Sequence, residues 1–135
     1  MDIQALLNAI SQSSHDTRSR YHLTLGRLIE FLGSIDPTIE VVTDQGSYLG
    51  RPRSYRGYYS DLSFEPADEK ITAGELLPVA RSALNETFEG YKGGDFTMTE
   101  STPLWLAHYG TTGRAIMGSR VDGDRIVLTT AEEHD

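Results

Sequence analysis

Arg51, Arg53 and Arg56 place three guanidinium groups within six positions, and Tyr48, Tyr55, Tyr58 and Tyr59 surround them with four of the chain's seven tyrosines. Arginine presents a planar fork of donors that matches phosphate oxygens. Tyrosine offers a flat face to a base, or to the guanidinium itself. Gly46, Gly50 and Gly57 let backbone N–H groups come close to an anion. The chemistry this set can do is to grip a small, phosphorylated, base-containing ligand. A second stretch, Thr87 to Phe96, interleaves Phe88, Tyr91 and Phe96 with Gly90, Gly93 and Gly94, and carries Lys92. A third, Gly110 to Arg114, sets glycines and small hydroxyls before Arg114, and Arg120 and Arg125 follow. Protein interfaces enrich the same residue types, and strands favour tyrosine anyway. Protein–protein contact and plain surface therefore stand beside ligand binding as readings of these residues.

The island runs against the charge of the whole chain. Twelve Lys and Arg face 20 Asp and Glu in 135 residues, for a net charge of −8 at pH 7. Such a balance opposes a long track of phosphate contacts, so neither polymeric nucleic acid nor an anionic membrane is expected as a partner. A local positive pocket for a compact ligand is not opposed in the same way. The chain has no cysteine. That excludes disulfides, thiolate zinc sites, iron–sulfur clusters and cysteine nucleophiles, and fits a reducing cytoplasm. His15, His22, His108 and His134 show no metal-binding spacing, and His108 reads as a structural or surface histidine. There is no phosphate loop, no dinucleotide fingerprint after a strand and no serine elbow. The expectation is a binder, with no catalytic residues, no metal and no cofactor. The first residues lack a basic region, so no secretion signal is expected, and no apolar run reaches bilayer length.

The elements that must hold these side chains can be read from periodicity. With 38% hydrophobic residues, the chain has enough apolar side chains for one core, and the length predicts a single domain over residues 1–135. Ile3, Leu6, Leu7 and Ile10 line one helical face, and Leu25, Leu28, Ile29 and Leu32 another. Thr24 is the expected N-cap of the second helix and Gly33 its stop. Residues 1–33 thus form a helical N-terminal part. An α/β core follows over 38–130, and 131–135 is an acidic tail expected to fray. In the core, Thr38 to Thr43 reads as a strand, Ser47 to Gly57 as irregular, and Tyr58 to Glu65 as a strand ended by Pro66. Thr72 and Glu75 have the form of a capping box for a central helix carrying Leu76, Leu77, Ala80 and Leu84, with Pro78 requiring a start near Thr72. Asn85 to Gly94 reads as irregular. Phe96 to Met98, Leu104 to Tyr109, Arg114 to Val121 and Arg125 to Thr130 read as strands, the last two joined by the Asp122-Gly123 hairpin turn. The fold class expected is α+β, a mainly antiparallel β-sheet with N-terminal helices and one central helix.

Four strings carry a resemblance. Leu23 to Leu32 (LTLGRLIEFL), Ser54 to Tyr59 (SYRGYY), Thr87 to Gly94 (TFEGYKGG) and Thr102 to Trp105 (TPLW) resemble the Thoeris anti-defence family of the first type, small phage proteins that act as sponges. The resemblance spans roughly residues 20 to 130. It implies α+β units that dimerise, with dimers able to assemble into hexamers, working in the cytoplasm of an infected bacterial host. It implies binding, without cleavage, of the cyclic ADP-ribose isomers made by bacterial immune TIR-domain enzymes. Some members also take cyclic oligonucleotides at separate sites between subunits. By the same resemblance Arg56 holds phosphate and Phe88 stacks on adenine. Tyr55, Tyr58, Tyr91, Lys92 and Arg53 complete the expected ligand-binding set. Arg114 and Arg120 are included too, although their spacing departs from the family's pattern. The competing expectation is an acidic inhibitor that docks on a host defence protein, with the Tyr/Arg island as its hot spots.

Overall fold

A computed structural model of the chain describes residues 22–55, 60–89, 94–109 and 111–132. The helix expected over Ile3 to Ile10 lies outside them, as do Arg56, Tyr58, Tyr91 and Lys92.

Two helices and eight strands make up the described chain. Helix α1 (Leu25–Gly33) starts where Thr24 accepts a hydrogen bond from the backbone N–H of Arg27. It buries Leu25, Leu28 and Leu32, the stripe that its helical spacing predicts. Helix α2 (Ala73–Ala83) opens on a complete capping box, in which Thr72 and Glu75 satisfy each other's backbone donors. It buries Ala73, Leu76, Ala80 and Ala83, and Pro78 sits inside it on the exposed side.

The strands are β1 (Glu40–Thr43), β2 (Tyr48–Ser54), β3 (Leu62–Ala67), β4 (Thr87–Glu89), β5 (Asp95–Thr97), β6 (Leu104–Leu106), β7 (Arg114–Asp122) and β8 (Arg125–Glu132). Six form one sheet in the order β1-β8-β7-β6-β3-β2, and β4 and β5 pair separately. The fold is α+β. The sheet is mixed: β7–β8, β6–β7 and β2–β3 run antiparallel, while β1–β8 and β3–β6 run parallel. β1 and β2 are joined by a short turn, closed by the backbone bond from Thr43 N–H to the Ser47 carbonyl. Yet they stand at opposite ends of the strand order, so the sheet curls into a nearly closed barrel.

Successive residues of a strand point to opposite faces. Leu62, Phe64, Leu104, Leu106, Ile116 and Leu128 join the helices' buried residues in the main core. On the other face Tyr55, Trp105, Ala107 and Ala115 form a second, smaller cluster.

Several boundaries differ from the sequence expectation. The segment 47–57, expected to be irregular, contains the seven-residue strand β2. Pro66 does not end β3, because it pairs with Leu49 as the strand continues to Ala67. Residues 131 and 132 of the expected tail belong to β8. Thr87 to Glu89 is a strand where an irregular stretch was expected, and it pairs with β5 to place Phe88 opposite Phe96. None of the described helices is long and apolar enough to cross a membrane.

Candidate functional site

β2 ends the strand order, and its pairing with β3 is interrupted. Tyr48 and Leu49 pair with Ala67 and Pro66, the register then slips, and Pro52 resumes opposite Phe64. Gly50 and Arg51 are the bulge. A side chain at Gly50 would lie 3.0 Å from the Glu65 carbonyl oxygen and 3.2 Å from Ala67 Cβ, so any larger residue there would require β3 to give by a few tenths of an ångström. Bulges re-aim neighbouring side chains, and here the exposed residue released from the ladder is Arg51.

Two hollows flank Arg51. The larger, about 550 Å³, lies between β2, α2 and β4, and its walls include Arg51, Arg53, Pro78, Ser82, Glu86 and Phe88. The smaller, about 420 Å³, includes Leu49, Gly50, Lys70, Ile71 and Glu75. Arg51, Pro52 and Val79 belong to both. Among the described residues Arg51 forms no ion pair, and neither Glu86 nor Glu89 of the same wall closes on it. Phe88 is half-buried, resting against the main core while lining the larger hollow.

Arg53 stands one register further along β2, opposite Ser63. Its guanidinium carbon lies 5.0 Å over the ring of Tyr109. Its Nε is buried with no hydrogen-bond partner. It contributes to the wall of the larger hollow, but a cation–π contact holds its head toward the loop after β6.

The other expected residues lie elsewhere. Tyr55, expected at the ligand, is buried at 3% exposure. Its ring stacks on Trp105 at 4.1 Å and 4°, and its hydroxyl accepts a bond from the Gly113 N–H at 3.0 Å. An aromatic face packed flat on indole is not open to a base. Tyr48, part of the same island, donates its hydroxyl to Glu40. That bond raises the phenol's pKa above its ordinary value.

Arg114 is at the far end of the sheet, where the β1–β2 turn meets the β6–β7 loop. Its Nε donates to Thr130 Oγ1 at 2.8 Å and its Nη2 to the Thr130 carbonyl at 3.3 Å. Thr130 in turn donates its hydroxyl and its backbone N–H to Asp44, at 2.6 and 2.9 Å. Arg114 thus clasps β7 to β8 and the β1–β2 turn, and it also lines a separate hollow of about 320 Å³ with Gln45, His108 and Thr111. Its 3.9 Å pair with exposed Glu132 adds little. Arg120, exposed on β7 opposite Val127, lines neither of the two hollows beside Arg51.

The Asp44 clasp has a pH signature. Burial opposes ionisation, but the Thr130 hydroxyl and N–H, the Gln45 amide and the Arg114 charge outweigh it and hold the carboxyl below its ordinary value. A carboxylate lowered in the folded state stabilises the fold above its unfolded pKa. That contribution disappears as pH falls through the lowered folded value. Asp44→Asn should therefore flatten the acid limb of a stability curve below about pH 4. Unfolding midpoints of the two proteins across that range check it, and parallel curves would remove Asp44 from the acid response.

Sequence reasoning left Arg51, Glu86 and Lys70 out of the expected set. The signal for Arg51 was its place in the arginine cluster. Nothing local marks Glu86 or Lys70, which α2 and the β3–α2 connection bring to the hollows. Comparison of the chain with protein-family models, curated proteins and solved structures returned no match. The function therefore has to be argued from the site.

Proposed function

We propose that the protein binds and sequesters a compact cyclic nucleotide signal of the cyclic ADP-ribose type, as the resemblance to phage sponges implies, and leaves it intact. The observation that carries this is the bulge-released Arg51, unpaired among the described residues, at the mouth of a 550 Å³ hollow that also presents Phe88. The volume is within the range of small-molecule sites. An arginine on phosphate and a ring for a base are the two contacts such a ligand needs. The same strand is poorly suited to a peptide added at its edge. Pro52 offers no N–H, the bulge breaks the ladder, and Arg51 and Arg53 project from it, all features that discourage strand pairing.

Calorimetry with cyclic ADP-ribose isomers tests the proposal. Charge-assisted bonds contribute about 1.5–3 kcal/mol, so Arg51→Ala should weaken binding roughly ten- to a hundredfold. Phe88→Ala should cost a similar factor through lost stacking. Ligand recovered by heating the complex should be chemically unchanged. Heat of binding that is absent for every isomer, or identical in the Arg51 variant, would reject the assignment.

A further inference from the structure

The two hollows on either side of Arg51 share one wall, and each combines an apolar surface with carboxylates. Pro78, Val79 and Phe88 give the larger an apolar surface, and Leu49, Ile71 and Val79 give the smaller one. Beyond Arg51 the smaller carries Lys70, whereas Arg53 lines the larger with its guanidinium drawn toward Tyr109. Each also carries two carboxylates, Glu86 and Glu89 in one and Glu69 and Glu75 in the other. Glu75 already accepts from Thr72 through one oxygen, Oε1. Lys70 is exposed and forms no ion pair among the described residues.

A bare polyphosphate would meet four carboxylates in this groove. A nucleoside half brings sugar hydroxyls and an exocyclic amine, which are donors that carboxylates accept, together with an apolar base. The only place where charge is shared by both hollows is Arg51, at their junction, and that is where a linking phosphate would sit.

We infer that the smaller hollow is a second subsite, and that the groove takes a ligand of two nucleoside halves joined through a phosphate or pyrophosphate held on Arg51. This rests on the nucleotide binding proposed above and extends it to ligands with a second nucleoside half, which a cyclic ADP-ribose isomer, with its single base, lacks. Lys70 then sets specificity for two-lobed ligands over single nucleotides.

The full-length chain is titrated calorimetrically with adenosine 5′-monophosphate, with diadenosine pyrophosphate and with inorganic pyrophosphate. The two-lobed compound is expected to bind at least tenfold more tightly than the monophosphate, and inorganic pyrophosphate more weakly than either. Lys70→Glu, an exposed change, should weaken diadenosine pyrophosphate about tenfold and leave the monophosphate within twofold. Phe88→Ala should weaken both adenosine ligands. Equal affinities for the two adenosine compounds, with Lys70→Glu moving neither, would overturn the second subsite while leaving the binding function standing. Failure of these probes and of every cyclic ADP-ribose isomer to bind would overturn both.

Discussion

Replacing Trp105 by alanine should lower the unfolding free energy by about 4 kcal/mol, a large part of the roughly 5–15 kcal/mol available to a domain of this size. Trp105 is 1% exposed and is the largest fully buried side chain. One face of the indole carries Tyr55, stacked at 4.1 Å, and His22 meets it edge-on at 4.7 Å. The Nε1–H donates to Asp61 Oδ2 at 2.8 Å, and Asp61 is itself fully buried. Alanine would leave a cavity, free Tyr55 from its stack and remove a donor from a buried carboxylate, and each of these costs separately. Because this is the chain's one tryptophan, the melt is followed by circular dichroism rather than fluorescence. Trp105→Phe separates the contributions. It keeps most of the packing and loses the Asp61 bond, so it should fall between wild type and alanine. Phenylalanine as stable as tryptophan would mean that the buried hydrogen bond contributes nothing.

The anchor bears on the site through chain geometry. Tyr55 and Asp61 are tied to each other by the backbone bond from the Tyr55 N–H to the Asp61 carbonyl, at 2.9 Å, and both are fixed on Trp105. The ends of the segment that carries Arg56 are thus held on the same indole. β2, with Arg51 and Arg53, leads directly into it. Tyr55 therefore anchors the end of the arginine-bearing strand, with its ring face covered by the indole.

Local chemistry was legible and distant pairing was not. Thr24 and Thr72 announced their helices because a cap is written within four residues. The Asp122-Gly123 pair announced the β7–β8 hairpin, although the two-residue turn itself is Gly123-Asp124, with Asp122 paired to Arg125 as the last residue of β7. β2 was hidden because Gly50 and Pro52 break the alternation that marks a strand. An edge position with a bulge tolerates both, but the sequence carries no sign of which strand will be the edge. The parallel pairs β1–β8 and β3–β6 were invisible for a related reason, since their partners lie far apart in the chain. The arginine–tyrosine island is a cluster in sequence that the fold divides. The bulge releases Arg51 beside the hollows and the Tyr109 ring draws the head of Arg53, while Trp105, fifty positions downstream of Tyr55, draws that ring inside.

Gly113→Ala should cost about 3 kcal/mol, roughly 10 °C in Tm. A methyl group there would lie 2.1 Å from the Leu106 carbonyl oxygen, 2.4 Å from Ala107 Cβ and 2.8 Å from Ala107 Cα. These are backbone atoms and a Cβ, so no flexible side chain can swing away to make room. Relief requires the start of β7 to move away from the end of β6, where Arg114 pairs with Leu106. That movement would also lengthen the bond from the Gly113 N–H to the Tyr55 hydroxyl and disturb the Trp105 stack from the opposite side. The loss should therefore not add to that of Trp105→Ala, because the two changes damage one cluster. Gly33→Ala is the matched control. It stands at the end of α1 with its nearest neighbour, Arg81 Nη2, 4.0 Å away, and a helical alanine there should be neutral or stabilising by up to about 1 kcal/mol. Denaturant melts of the single and double variants decide the matter. Additive losses would show that the loop before β7 and the tryptophan cluster are independent, whereas a double variant no worse than Trp105→Ala alone would establish that Gly113 acts through the stack beneath the arginine-bearing strand.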